Sequence, residues 1–146
     1  MIRELNNLDL KFRKLKLSDY KQFSELFYKC FKKKISYKFF KWRYFSDKKS
    51  FCYGVFVSSN LVANIGIKLI KINNKYLSNA FSRHSSMVSK EYRNIKIFSH
   101  LSRIVKKKFI KNVQILLMWP NKKNFSNFGL QKKNIIKKKF YLYKTH

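Results

Sequence analysis

Between Phe51 and Val88 the chain holds three strand-length runs of β-branched and aromatic residues, each closed by a turn signal. Phe51–Val57 and Leu61–Ile72 are separated by Ser58-Ser59-Asn60, and Asn73-Asn74 sets off a third run, Tyr76–Val88. Turn residues at these intervals predict an antiparallel meander in which consecutive strands are neighbours. Two helix-period segments precede it. Tyr20, Phe23, Leu26, Phe27, Cys30 and Phe31 recur at three- and four-residue spacing, which makes one apolar helix face, and Ser18-Asp19 stands before them as an N-cap. Ser36 caps a second, shorter helix with Tyr37, Phe40 and Tyr44 on one side, and Phe39, Trp42 and Phe45 widen its apolar surface. So many rings on a short helix favour core packing over the lining of an acceptor pocket.

After the meander, Ile97, Phe98, Leu101, Ile104, Val105 and Phe109 give a crossover helix one face toward the sheet. Lys106, Lys107 and Lys108 near its C-terminal end suit the helix dipole. Val113–Trp119 is apolar except for Gln114 and is ended by Pro120, the pattern of a strand covered on both faces. Residues 10–17 alternate apolar and basic, as a half-exposed first strand does. A short helix over Asn121–Phe128 and a last strand over Lys139–Tyr143 complete the order. The expectation is an α/β (α+β) fold in a single domain over residues 1–146, with a mixed, mainly antiparallel central sheet flanked by helices. Glycine and proline are scarce, which singles out Gly54, Gly66, Gly129 and Pro120 as positions of interest.

The formal net charge of +29 suggests a nucleic-acid binder. However, the cations are overwhelmingly Lys, and Lys, Asn, Ile, Phe and Tyr, all with AT-rich codons, together make up more than half of the chain. Arg, which makes bidentate contacts to phosphates and bases, is not enriched, so a dedicated nucleic-acid role is the lesser reading. The charge still attracts polyanions in a salt-dependent way. Cys30 and Cys52 are far apart with no His at metal-ligand spacing, which predicts two inert thiols and no metal. No apolar run reaches the ~18 residues of a membrane helix, and Met1–Asn6 lacks the apolar stretch of a secretory signal, so the expected compartment is the cytoplasm.

The stretch richest in chemical information is Met87-Val88-Ser89-Lys90-Glu91-Tyr92-Arg93-Asn94-Ile95-Lys96-Ile97-Phe98. A strand runs into a polar loop and an amphipathic helix starts at once, so unpaired backbone N–H groups with partial positive charge point out of the helix start and suit a pyrophosphate. In element order and in this stretch the chain resembles the GCN5-related N-acetyltransferase superfamily. Val88, Tyr92, Arg93, Ile97, Phe98 and Leu101 match its acetyl-CoA motif, while Lys90 stands where Pro is common and Lys96 where Gly is usual. Trp119-Pro120-Asn121 with Gly129-Leu130 downstream is similar to the later signals of one branch, and Phe12–Leu15 with Ser18-Asp19 resembles the family's first strand and helix.

The resemblance implies an acetyl-CoA-dependent N-acyltransferase with a small-molecule amine acceptor, which the branch suggests is an amino sugar or sugar nucleotide. Acetyl-CoA would serve as acyl-donor co-substrate, without a metal. It implies that Met87 and Val88 pair their backbone with pantetheine, and that N–H groups of Arg93, Asn94, Ile95, Lys96, Ile97 and Phe98 hold the pyrophosphate. Asn121 would make a polar contact to the pantetheine arm. A Tyr that protonates the leaving thiolate in many relatives is replaced by Phe125. His84, on the strand before the loop, is the one candidate general base, chosen for a pKa near neutrality. Glu91 reads as solvated, His100 as surface or packing, and His146 as a frayed end. Ser85 and Ser86 lack the His/Asp arrangement of a hydrolase. The C-terminal part reads as shortened by a strand, which either a homodimer partner completes or marks a reduced copy of a longer enzyme. Two alternatives accompany the enzyme. One is a catalytically impaired module that binds CoA or another polyanion. The other is a basic nucleic-acid-binding protein using Lys38-Phe39-Phe40-Lys41-Trp42-Arg43-Tyr44.

Overall fold

The computed structural model describes residues 9–71, 79–93, 95–109 and 115–118. Strand β1 (Leu10–Lys14) leads through a 3-10 turn (Leu17–Asp19) into helices α1 (Tyr20–Phe31) and α2 (Tyr37–Phe45). Strands β2 (Ser50–Val57), β3 (Asn60–Lys71) and β4 (Asn79–Val88) follow, then a 3-10 turn (Lys90–Tyr92), helix α3 (Ile97–Phe109) and strand β5 (Ile115–Met118). They form one sheet in the order β1-β2-β3-β4-β5. The first four strands are antiparallel to their neighbours, and β5 runs parallel to β4 through Ala80↔Ile115 to Arg83↔Met118. The predicted order holds across these elements. The helix expected over 121–128 and the strand over 139–143 lie outside the described residues.

Two local expectations change. The first strand is shorter than 10–17, and Asp19 does not cap α1. Its carboxylate instead accepts from both Arg13 guanidinium nitrogens (2.7 and 2.8 Å) and from the Lys16 N–H (2.7 Å), tying β1 to the start of α1. Arg13 holds that buried carboxyl below the usual aspartate range. By contrast Ser36 caps α2 as expected, its hydroxyl accepting from the Phe39 N–H at 3.2 Å. The β2–β3 hairpin turns on Ser58 (φ 46°) and Ser59 (φ 69°), both left-handed, the backbone a two-residue primed turn requires.

The sheet carries a core on each face. On one, α1 and α2 bury Phe23, Leu26, Phe40 and Tyr44 against Cys52, Phe56 and Met87. On the other, α3 packs Ile97, Leu101 and Val105 against Val55, Ile65, Ile67 and Phe81. Residue parity follows from this. Up to His84, even-numbered residues of β4 face α1–α2 and odd ones face α3. Beyond it Met87 faces α1–α2, because Asn64 pairs with Met87 while Gly66 pairs with His84. Ser85 and Ser86 thus oppose Ile65 alone, a β-bulge that switches the alternation.

Candidate functional site

The bulge is where the site-bearing elements meet. Ser85 sits at φ 47°, a left-handed conformation that costs an ordinary L-residue about 1–2 kcal/mol. Side chains from two other elements hold it there. The Tyr44 hydroxyl, from α2, bonds to the Ser85 hydroxyl, and Asn64 Nδ2, from β3, donates to the Ser85 carbonyl at 3.2 Å. Burial pushes the Tyr44 phenol up to about 12, so it remains a neutral donor or acceptor at physiological pH.

His84 lies beside the bulge, its ring stacked on Tyr44 with centroids 5.4 Å apart. Gly66 makes room for it: a Cβ at Gly66 would stand 2.5 Å from His84 Nδ1 and 2.9 Å from the His84 carbonyl oxygen. The near-neutral pKa expected of this imidazole is not what the site produces. Burial first, then the charges of Arg43 and Lys68, push it down to about 4, so it is neutral across physiological pH. Two buried polar atoms here lack a partner among the described residues, His84 Nδ1 and Asn64 Oδ1. Buried polar atoms are nearly always satisfied, so these two acceptors beside the bulge stand out, as does Ser102 Oγ on α3.

Beyond the bulge, the end of β4 offers its outer edge. Ser89 N–H donates to the Val62 carbonyl at 2.8 Å. By the alternation of an antiparallel pair Met87 also bonds toward β3, while the N–H and carbonyl of Val88 point to the other edge. The Val88 carbonyl is engaged there by Arg93 Nε at 3.2 Å and by the Cys30 thiol at 3.4 Å. Of the backbone polar groups of Met87 and Val88, the Val88 N–H is therefore the one that points away from β3 with no partner among the described residues.

The loop then reaches α3. Lys96 has φ 54°, so the position where the acetyl-CoA motif carries Gly keeps the left-handed backbone that glycine favours. Its carbonyl accepts the His100 N–H at 3.1 Å and starts the helix. The Lys96 side chain is exposed, Ile95 and Phe98 are partly buried in the α3-side core, and Ile97 is wholly buried. Arg83 packs over Phe98. Asn94 and Asn121 lie outside the described residues, as do Phe125 and Gly129.

Glu91 turns away from the helix start. Its carboxylate accepts from the Ser89 hydroxyl, which lowers its pKa, and with Glu25 and Lys29 it lines a cleft of ≈ 320 Å³ between α1, the start of β3 and the Ser89–Tyr92 turn. His100 is exposed, its ring near Phe12. Helix α2 splits the core expectation. Phe40 and Tyr44 are buried, whereas Tyr37, Phe39 and Trp42 are exposed, Trp42 to 60%.

Sequence reasoning missed Tyr44, Ser85 and Asn64 as a unit, although Gly66 carried a visible signal. Among the described residues no helix is long and apolar enough to cross a membrane.

No family model and no curated protein sequence matches the chain. Solved structures do. An aminoglycoside acetyltransferase, meta-AAC0020, from an uncultured soil metagenomic sample, in complex with sisomicin, superposes with a TM-score of 0.74 at 12% identity, over 97% of this chain and 99% of that one. A possible acetyltransferase from Clostridium difficile 630 gives 0.71 at 18% identity, over 96% and 98%. Glucosamine-6-phosphate N-acetyltransferase from Arabidopsis thaliana gives 0.67 at 14% identity, over 90% and 98%. The chain has the GCN5-related N-acetyltransferase fold. Two of these names specify an acceptor, an aminoglycoside in one and glucosamine 6-phosphate in the other, and the two differ.

Proposed function

We propose that this protein is an acetyl-CoA-dependent N-acetyltransferase that acetylates the amine of a small acceptor, an amino sugar or sugar nucleotide. The observation that carries the reading is the bulge at Ser85, which turns the Val88 edge and the α3 start toward one side while setting His84, Tyr44 and Asn64 on the adjoining face. The Val88 N–H pairs with the pantetheine arm. The backbone from Arg93 through Phe98, with its partial positive charge, receives the pyrophosphate. The exposed Lys96 ammonium adds a mobile cation at that end. Asn121 serves as a further contact to the cofactor arm.

In such a transfer the amine nitrogen attacks the thioester carbonyl, the carbon–sulfur bond breaks, and CoA leaves as the thiol. Most of the rate comes from holding the two reactants in line. His84 is neutral and accepts a hydrogen bond from the amine, which orients the lone pair. With a pKa of about 4 it does not keep the proton, which passes to water. The acceptor therefore reacts as the free amine, and the rate rises with pH until that amine is deprotonated.

A second reading, a CoA- or polyanion-binding module without turnover, is favoured by the weak basicity of His84 and by Phe125 at the usual Tyr position. One set of measurements separates them. The melting temperature is followed with acetyl-CoA, pyrophosphate, ATP and heparin at low and moderate salt, beside thiol release with glucosamine. A ligand at 100 times its Kd adds roughly 2.7 kcal/mol. A selective, salt-resistant response to acetyl-CoA with thiol release supports the enzyme, and the same response without thiol release supports the module. A response common to all anions and erased by salt refutes both as specific readings.

A further inference from the structure

The face that adjoins the bulge carries charge of one sign. On β3, Lys68 lies two residues from Gly66 and so on the same side of the sheet, next to the His84 ring that Gly66 accommodates. On α2, Arg43 precedes Tyr44, whose ring stacks on His84. The positive charges of Arg43 and Lys68 both act on His84, and that of Arg43 also acts on Tyr44 and Cys52. Among the described residues, Ser82, Ser85 and Asn64 also lie on this face and are uncharged.

Carboxylates are engaged elsewhere. Asp19 is paired with Arg13 at the start of α1, and Glu25 and Glu91 line the cleft between α1, the start of β3 and the Ser89–Tyr92 turn. Asp47 accepts the Lys49 N–H within its own turn at 2.8 Å, and Asp9 is exposed ahead of β1. Glu4 is outside the described residues. Between Asp47 and Glu91 the chain has no acid, and it has none after Glu91, so β2, β3, β4, α3 and β5 contribute no carboxylate at all. A polyamine or aminoglycoside needs carboxylates to hold its several ammonium groups, and an ammonium set between Arg43 and Lys68 is repelled.

Building on the acetyltransferase reading, we infer that the acceptor bears an anionic group, a phosphate or phosphodiester, which Arg43 and Lys68 receive while its amine lies at the Ser85 bulge. Arg43 suits this role because its guanidinium forms a two-pronged contact with phosphate oxygens, and Lys68 adds a flexible point charge. The fold alone does not choose, since aminoglycoside and glucosamine-6-phosphate enzymes both adopt it. The charge on this face does.

The test is calorimetric binding of glucosamine, glucosamine 6-phosphate and sisomicin at low salt. Two cations near one phosphate predict glucosamine 6-phosphate binding about tenfold tighter than glucosamine, and sisomicin binding weakest. The ratio falls toward one in Arg43→Gln/Lys68→Gln, and at least halves in Lys68→Gln alone, whose exposed side chain makes a folding defect easy to separate by melting temperature. It persists in Lys106→Gln/Lys107→Gln, which removes the same charge from the exposed end of α3 and so controls for the overall +29. Equal affinities, tighter binding of sisomicin, or a preference that survives loss of Arg43 and Lys68 overturns the inference. Because binding is read directly, a protein that ignores acetyl-CoA refutes the enzyme reading and still leaves the affinity ratio to decide this one.

Discussion

Replacing Lys96 by Gly should stabilise the protein, although it deletes a whole side chain. Lys96 sits at φ 54°, and an L-residue in that region costs about 1–2 kcal/mol relative to its preferred conformations. Glycine adopts it freely but loses more backbone entropy on folding, which returns about 0.4–1 kcal/mol. The net gain is about 0.8 kcal/mol, within a range of about 0–1.6 kcal/mol. The side chain is exposed, so its removal forfeits little packing. For a chain of this size the gain corresponds to a rise in Tm of roughly 1–4 °C. The assay is thermal unfolding of wild type, Lys96→Gly and Lys96→Ala at moderate salt, where the lost charge matters least. Alanine keeps the left-handed penalty and should stay within about 0.5 kcal/mol of wild type. If glycine stabilises no more than alanine, Lys96 is not strained and its equivalence to the motif glycine fails.

Gly66→Ala should cost about 1–3 kcal/mol and disturb the site, because the new methyl meets His84 Nδ1 at 2.5 Å and the His84 carbonyl at 2.9 Å, and only the ring can swing aside. Acid sensitivity should have two separable limbs in pH-dependent unfolding. Unfolded His84 takes a proton below its ordinary 6.5 while folded His84 resists until about 4, so its contribution is full above 6.5 and lost as pH falls between these values; His84→Gln should flatten that window. Asp19 is lowered, chiefly by its bond to Arg13, so its contribution is present above the ordinary 3.8 and lost as pH falls through the depressed value; Asp19→Asn should flatten only that lower limb. Phe23→Ala, in the ring cluster with Phe27, Phe40 and Tyr44, should cost about 3–5 kcal/mol in denaturant unfolding.

What the sequence determined by itself was local order. Spacing alone located α1 from Tyr20 to Phe31 and α3 from Ile97 to Phe109, because each buries one face and a one-faced helix writes its period into the chain. The meander was equally legible, since β-branched runs and the Ser58-Ser59 turn are local signals. So was the strand–loop–helix from Met87 to Phe98, and with it the resemblance that the fold bears out. Only the tertiary structure decided how α2 divides its rings. They occur all round the helix, and periodicity cannot separate buried Phe40 and Tyr44 from exposed Phe39 and Trp42. It also decided the fate of Asp19, which is a cap by sequence and an ion-pair partner once β1 brings Arg13 alongside. The bulge was illegible for the same reason. Ser85 carries no glycine signal, and its left-handed backbone persists because Tyr44, 41 residues away, and Asn64, 21 residues away, hold it. His84 looked like a base of ordinary strength and became a weak one when burial and the charges of Arg43 and Lys68 closed around it. Secondary structure depends on neighbours three or four positions apart, whereas a pKa or a forced conformation depends on whatever long-range packing brings within a few ångströms.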